Sequence, residues 1–154
     1  MDISNIQANL RSDGRRFAIV VSRWNEIVTK ALTEGALDEF SRHGVAEVHV
    51  IHVPGTWEIP PTVKRLISMP DKPDAVVALG CILQGQTAHA QLLGADVGSA
   101  LMALQVESQV PIAWGILTPE TLEQALDRSG AKHGNKGREA ALAALEMAGL
   151  LDIL

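Results

Sequence analysis

The chain has 154 residues, of which 47% are hydrophobic and 20% are charged, and its formal net charge at pH 7 is −5. This composition predicts a single globular domain over residues 1–154 with a core of ordinary size, and it excludes a disordered chain. Because the net charge is negative, the composition gives no reason to expect a surface that binds nucleic acid or an anionic membrane, and we expect neither as a partner.

Strand-like apolar runs alternate with helix-like stretches along the chain. In order, the sequence predicts a strand over 17–21, a helix over 25–43, a strand over 48–53, a short helix through Met69, a strand over 75–79, a long helix over 88–109, a strand over 112–117, a helix from Thr118-Pro119 to Gly130, and a last helix to Ala148. Asn25 is placed to cap the first helix, and Pro60 and Pro61 suit the first turn of the second. Pro119 is placed as the first residue of the fourth helix.

Four strands separated by helices predict an α/β fold, with a four-stranded parallel sheet and helices on both faces. The third strand is apolar throughout, as a central strand covered on both faces should be. The long helix has a face of small residues and the last helix a face of alanines, and four strands leave much of this surface uncovered. We therefore expect the chain to self-associate, with a well-packed monomer as the alternative.

No metal site, membrane anchor or export signal is expected. Cys81 is the only cysteine, which excludes an intrachain disulfide and a cysteine metal cluster. His49 and His52 are three positions apart in a predicted strand, so they point to opposite faces. The N-terminal residues lack a basic and then apolar leader, and no apolar run approaches the ~18 residues of a membrane helix. These features favour a cytoplasmic protein.

All three tryptophans, Trp24, Trp57 and Trp114, fall at the ends of apolar runs. If these runs are parallel strands, the tryptophans crowd the carboxyl edge of one sheet, where open α/β folds bind ligands. Any single tryptophan is more often a core residue. Three at one edge, in a chain that has only two Phe and no Tyr, favour a binding site.

The loop after the third strand has the features of an anion site. Gly85 lets the backbone approach a ligand closely, and the amides of Gln86 and Thr87 open a helix whose dipole favours negative charge. Phosphate is the natural anion. Arg128, near the end of the helix after the fourth strand, is a candidate forked donor to the same phosphate, or else an exposed cation at a helix end.

Two further side chains are candidates for chemistry at this edge. His89 follows the anion loop by two residues, and an imidazole with an ordinary pKa of about 6.5 transfers protons at neutral pH; the alternative is a lone surface histidine. Glu58, directly after Trp57, is placed either to accept hydrogen bonds from substrate hydroxyls or to favour a helix N-terminus.

Several common sites are excluded. Lys136 is followed by Gly137 and no strand precedes that turn, so the segment is not a phosphate-binding loop of the Walker type. The first strand is not followed by a Gly-x-Gly-x-x-Gly fingerprint, and no serine or cysteine nucleophile motif occurs.

Four motifs in the same order and spacing closely resemble those of the lumazine synthase family of riboflavin biosynthesis. The first is Ser22-Arg23-Trp24-Asn25, the second runs from Val53-Pro54-Gly55-Thr56 to Pro60, and the third runs from Gly80-Cys81-Ile82-Leu83 to His89. The fourth has three parts, which are Gly115-Ile116-Leu117-Thr118, Glu123-Gln124-Ala125, and the segment from Arg128 to Gly137. The resemblance spans nearly the whole chain and implies a three-layer, flavodoxin-like α/β fold.

The resemblance implies condensation of 5-amino-6-(D-ribitylamino)uracil with 3,4-dihydroxy-2-butanone 4-phosphate, giving 6,7-dimethyl-8-ribityllumazine, phosphate and water, with no metal or organic cofactor. By position, the resemblance implies that Trp24 stacks on the pyrimidine ring and that Cys81, Ile82 and Leu83 meet this ring through their backbone. It implies that Thr56, Trp57 and Glu58 hold the ribityl chain and that Gln86, Thr87 and Arg128 hold phosphate. It further implies that Trp114 lines the pocket across a subunit boundary and that His89 is the catalytic proton shuttle. Gln84, Gln86 and Ala90 depart from the residues usual in the family.

The resemblance also implies a homopentamer with active sites at subunit boundaries. The turn over residues 130–137 has no insertion, which is typical of members whose pentamers join into an icosahedral shell. Residues 1–14, with Ile3, Ile6 and Leu10, form an arm that we expect to pair with the sheet edge of a neighbouring subunit. Riboflavin synthase is a further candidate partner.

Two other classes of function stay open from the sequence. A paralogue that binds a lumazine or riboflavin without turnover is disfavoured by the presence of His89 and Arg128. A flavodoxin-like electron carrier would need hydroxyl and glycine residues after the first strand, where this chain has Ser22-Arg23-Trp24-Asn25.

Overall fold

The computed structural model describes residues 1–85 and 88–154. In this part of the chain one sheet has four parallel strands, β1 (Phe17–Ser22), β2 (Val48–Val53), β3 (Ala75–Cys81) and β4 (Ile112–Leu117), in the order β2-β1-β3-β4. Every residue of β1 and β3 is buried, because these central strands are covered on both faces. The predictions of a four-stranded parallel sheet and of a central third strand are confirmed.

Helices cover both faces of the sheet. They are α1 (Glu26–Arg42), α2 (Ile59–Ile67), α3 (His89–Ser108), α4 (Leu122–Arg128) and α5 (Lys136–Ile153), with a 3-10 turn over Thr56–Glu58 that leads into α2. One core lies between the sheet and α1 and α5, where the rings of Phe17 and Phe40 have centroids 4.8 Å apart. A second core lies between the sheet and α2 and α3. The predicted three-layer, flavodoxin-like α/β fold is thus confirmed.

Asn25 is the N-cap residue of α1, as predicted, but its side chain does not form the expected capping hydrogen bond. Its backbone is left-handed (φ 61°), and its Nδ2 donates instead to the carbonyl oxygen of Cys81 at 2.8 Å. The side chain therefore ties the segment after β1 to the end of β3.

The predicted helix start at Pro119 is wrong. Helix α4 begins at Leu122, and its N-cap is Thr121, whose hydroxyl accepts from the amide of Gln124 at 3.2 Å. Pro119 lies beside the loop after β3, where its carbonyl accepts from the amide of Gln84 at 3.0 Å. Beyond β4 the chain therefore stays paired with the segment after β3 as far as Pro119, and α4 begins only after this pairing ends.

Other bounds differ from the prediction by a few residues. Strand β3 continues past Leu79 to Cys81, and α5 continues past Ala148 to Ile153. The placement of Pro60 and Pro61 in the first turn of α2 is confirmed.

Residues 1–14 are described without helix or strand. Leu10 is partly buried against the core that lies between the sheet and α1 and α5, whereas Ile3 and Ile6 are exposed. Pairing of this arm with a neighbour stays a prediction. No helix within residues 1–85 and 88–154 is long and apolar enough to cross a membrane.

Candidate functional site

A cavity of about 460 Å³ opens at the carboxyl ends of β1, β2 and β3, the edge that the tryptophan pattern predicts. Its volume lies in the range of small-molecule sites. The residues that line it are Trp24, Asn25, Gly55, Thr56, Trp57, Cys81, Ile82, Leu83, His89 and Leu93. Most of the predicted site residues are therefore brought together within one chain.

Two of the three tryptophans form exposed walls of this cavity. The side chains of Trp24 and Trp57 are 72% and 61% exposed, although tryptophan is usually well buried. Keeping two such large apolar surfaces in contact with water costs free energy. Their ring faces are available to stack on a planar heterocycle.

The turn over residues 55–58 supplies part of the cavity lining and is closed by its own hydrogen bonds. Glu58 Oε2 accepts from the amide of Gly55 at 2.9 Å, and the amide of Glu58 donates to the Gly55 carbonyl at 3.2 Å. Glu58 is thus part of the turn itself and is not among the cavity-lining residues. The alternative prediction, that Glu58 lies at a helix N-terminus, is confirmed in position, because Glu58 is the N-cap residue of α2.

Gly80 is a site-forming residue that the sequence analysis missed. A Cβ built on Gly80 would lie 2.5 Å from Cγ2 of Thr56 and 3.2 Å from Oγ of Ser22, so Thr56 packs directly on the bare backbone of β3. Thr56 is 6% exposed and reaches the cavity from this position. A glycine inside an otherwise apolar strand is a recognised signal of such close approach.

The loop after β3 is fixed by backbone pairing. The amide of Ile82 donates to the Leu117 carbonyl at 2.8 Å, and Gln84 is held by Pro119 as described above. Burial raises the pKa of the Cys81 thiol to about 11. At neutral pH this thiol is therefore protonated, and it supplies shape to the cavity rather than a nucleophile.

His89 is the first residue of α3 and lines the cavity beside the loop after β3. It is solvent-exposed, so a bound molecule can reach its ring. Gln86 and Thr87, the predicted phosphate-binding residues, lie outside the described residues.

Trp114 and Arg128 do not line this cavity in the described part of the chain. Trp114 is the third residue of β4, so its expected place at a strand end is wrong; its ring lies over Gly98 of α3 and lines a separate cavity of about 420 Å³. Arg128 is the last residue of α4 and is exposed. A single chain therefore brings Trp24, Trp57 and His89 to one cavity but not these two residues.

Comparison with known sequences agrees with this architecture. A family described as 6,7-dimethyl-8-ribityllumazine synthase matches residues 14–152 of the chain. Relatives with that name include a protein of Thermotoga neapolitana, 45% identical over 147 residues that cover 94% of this chain and 88% of the relative. A relative from Chlorobaculum tepidum is 43% identical over 152 residues, 97% of each chain, and one from Kosmotoga olearia is 47% identical over 140 residues, 90% of this chain and 89% of the relative. Because the match runs through the segments that build the cavity as well as those that build the sheet, the chain belongs to the 6,7-dimethyl-8-ribityllumazine synthase family.

Proposed function

We propose that the cavity at the carboxyl edge of the sheet is where this chain condenses 5-amino-6-(D-ribitylamino)uracil with 3,4-dihydroxy-2-butanone 4-phosphate, giving 6,7-dimethyl-8-ribityllumazine, phosphate and water. The chain is accordingly a transferase of riboflavin biosynthesis. The observation that carries the assignment is one cavity of about 460 Å³ that combines two exposed indole walls with an accessible histidine.

Each wall has a part in binding the ribityl substrate. Trp24 stacks on the pyrimidine ring, and the turn over residues 56–58 receives the ribityl chain. The backbone of Cys81, Ile82 and Leu83 supplies the opposite side of the ring pocket.

The chemistry needs positioning and proton transfer more than a protein nucleophile. The attacking group is the amine of the substrate itself, so holding two reactants in contact replaces a bimolecular encounter. His89 moves protons during imine formation and loss of phosphate. A protonated Cys81 thiol agrees with a mechanism that uses no cysteine nucleophile.

The activity is tested by mixing both substrates with purified protein and following lumazine absorbance. A control without enzyme is subtracted, so that any uncatalysed condensation does not count as activity. A rate that exceeds the control and saturates in both substrates supports the proposal. A rate equal to the control, with tight binding of the lumazine product, would identify a carrier instead.

Phosphate binding is assigned to Gln86, Thr87 and Arg128. Replacing Arg128 with Ala removes one charged hydrogen bond, which is worth about 1.5–3 kcal/mol. The KM for the butanone phosphate should rise by about 10- to 150-fold, while the KM for the ribityl substrate changes little. Arg42→Ala is a matched control, because Arg42 is also an exposed arginine at a helix C-terminus, where it pairs with Asp38. Equal saturation of the Arg128→Ala and parent proteins would place the anion elsewhere.

Trp114 and Arg128 are proposed to reach the cavity of a neighbouring subunit, in a homopentamer with shared sites. The arrangement within one subunit supports this, because both residues lie away from its own cavity. Mixed assemblies test it. Subunits carrying His89→Ala and subunits carrying Arg128→Ala, assembled together, should regain activity at the boundaries where both parent residues meet. No regain on mixing, with each variant folded, contradicts a shared site.

Assembly of the pentamers into an icosahedral shell is proposed as well. The exposed Ile3 and Ile6 of the arm over residues 1–14 would cover the free edge of β2 in a neighbour. Light scattering and electron microscopy at neutral pH should detect hollow particles; discrete pentamers at every concentration and in phosphate buffer would contradict the shell. Association with riboflavin synthase and a cytoplasmic location stay predictions.

A further inference from the structure

The side-chain amide of Asn135 uses its full hydrogen-bonding capacity at the junction of α1, α4 and α5. Its Nδ2 donates to the carbonyls of Ala31 in α1 and Ser129 after α4, at 2.9 and 3.0 Å. Its Oδ1 accepts from the amides of Gly137 and Arg138 at 2.8 and 3.1 Å. Two donors and two acceptor sites are all that this amide has.

The surroundings of Asn135 are shaped to admit this side chain. A Cβ on Gly35 of α1 would overlap the Asn135 amide group. Gly130, whose φ of +120° few other residues adopt, would place a Cβ 3.4 Å from Asn135 Nδ2. Ser129 and Asn135 also form an isolated antiparallel bridge. The turn over residues 129–135 is therefore closed on itself and fastened to α1 by one side chain.

The N-cap role of Asn135 does not account for all of these contacts. Capping α5 requires only an oxygen that accepts from the first free amides, and Ser, Thr or Asp supplies one. The two Nδ2 bonds are not needed for that cap. One holds the carbonyl of Ser129, the residue next to Arg128, and the other holds the carbonyl of Ala31 in α1. Together they link the C-terminal end of the short helix α4 to α1, in addition to the backbone hydrogen bonds that close the turn after α4 onto Leu126 and Asp127.

We propose that Asn135 is a positioning residue that sets the place from which Arg128 reaches the substrate phosphate. The inference rests on the phosphate-binding role proposed for Arg128. Asn135 touches neither substrate; it acts by holding the end of α4 against α1, so its effect on binding passes through the Arg128 guanidinium.

Asn135→Ser tests this, since it keeps a capping oxygen for α5 and removes both donors. The KM for the butanone phosphate should rise by about 3- to 30-fold, which lies within the range for residues coupled through direct contacts. The KM for the ribitylaminouracil should change little, and inorganic phosphate should weaken as a competitive inhibitor by a similar factor. In an Arg128→Ala background, Asn135→Ser should cause no further rise.

Arg138→Ala is the matched control. Arg138 lies in the first turn of the same helix and donates to Asp38 and Glu39 of α1 at 2.8 and 2.7 Å, but within the described residues its side chain makes no hydrogen bond to Ser129. It should lower thermal stability without raising the KM for the butanone phosphate. Asn135→Asp provides a second variant that keeps the cap and the side-chain size and places oxygen where the two donors were.

The outcomes separate the inference from the proposed function. If Arg128→Ala leaves the KM for the butanone phosphate unchanged, the phosphate role of Arg128 is overturned. If Arg128→Ala raises it but Asn135→Ser and Asn135→Asp lower only the melting temperature, the positioning role alone is overturned. If Asn135→Ser raises the KM for the butanone phosphate equally in the parent and in the Arg128→Ala background, the positioning role is also overturned, because the effect then does not pass through Arg128.

Discussion

Replacing Gly80 with Ala should disturb the ribityl side of the cavity. The new Cβ would lie 2.5 Å from Cγ2 of Thr56, where ordinary contacts begin at 3.4 Å, so Thr56 must retreat by about 0.9 Å. Overpacking of this kind costs about 1–3 kcal/mol. For a chain of this length, the melting temperature at fixed protein concentration should fall by about 2–12 °C.

The functional effect is larger than the loss of stability suggests. Thr56 begins the turn that continues into Trp57 and Glu58, so the shift moves one wall of the site. A misplacement of about 1 Å lowers catalytic efficiency by up to about 100-fold. Steady-state kinetics with each substrate varied in turn should show this loss chiefly for the ribitylaminouracil, with a smaller change for the butanone phosphate.

Two further variants decide whether the contact itself is responsible. Thr56→Ser removes the methyl group that meets the new Cβ and keeps the hydroxyl, so adding it to Gly80→Ala should restore most of the lost efficiency. Leu145→Ala is a stability control, because Leu145 is fully buried on the opposite face of the sheet and its truncation costs about 2–5 kcal/mol. It should lower the melting temperature and leave both KM values near those of the parent. Parent kinetics in Gly80→Ala, or no rescue by Thr56→Ser, would refute the reasoning.

Three other variants test single groups of the site. His89→Ala should slow turnover by at most the ~10²–10⁴-fold typical of a general acid–base group, measured at saturating substrate; turnover equal to the parent would remove the role. Ser22→Ala should raise the free energy of unfolding by about 1–2 kcal/mol in denaturant titrations, because the Ser22 hydroxyl is buried and has no hydrogen-bond partner in the described part of the chain; a clear destabilisation would mean that this hydroxyl is bonded in solution. The raised pKa of Cys81 predicts that stability falls as pH rises from about 9 towards 11, since the unfolded thiol then loses its proton while the folded one keeps it. Across this range, the difference in unfolding free energy between the parent and Cys81→Ala proteins should change by roughly 1.4 kcal/mol per pH unit. Parallel curves of unfolding free energy against pH would contradict the raised pKa.

Local sequence signals were sufficient for the fold and for the sheet edge at which the cavity lies. The continuous apolar run of β3 predicts a strand buried on both faces, and alternation of strands with helices restricts the chain to a parallel sheet. In such a sheet the residues after each strand meet at one edge. Trp24, Trp57 and His89 could therefore be assigned to one site before any distance was available.

Contacts between segments distant in sequence decided the rest. Asn25 has the sequence context of a helix cap, yet its amide donates to Cys81, 56 positions away. Gly80 signals a close approach to β3 but does not reveal that Thr56 is the partner, and the anchoring of Ser129 and Ala31 by Asn135 has no local signal. Propensity and periodicity report the preferences of a short segment, whereas the partner of a side chain depends on which segments the fold brings together.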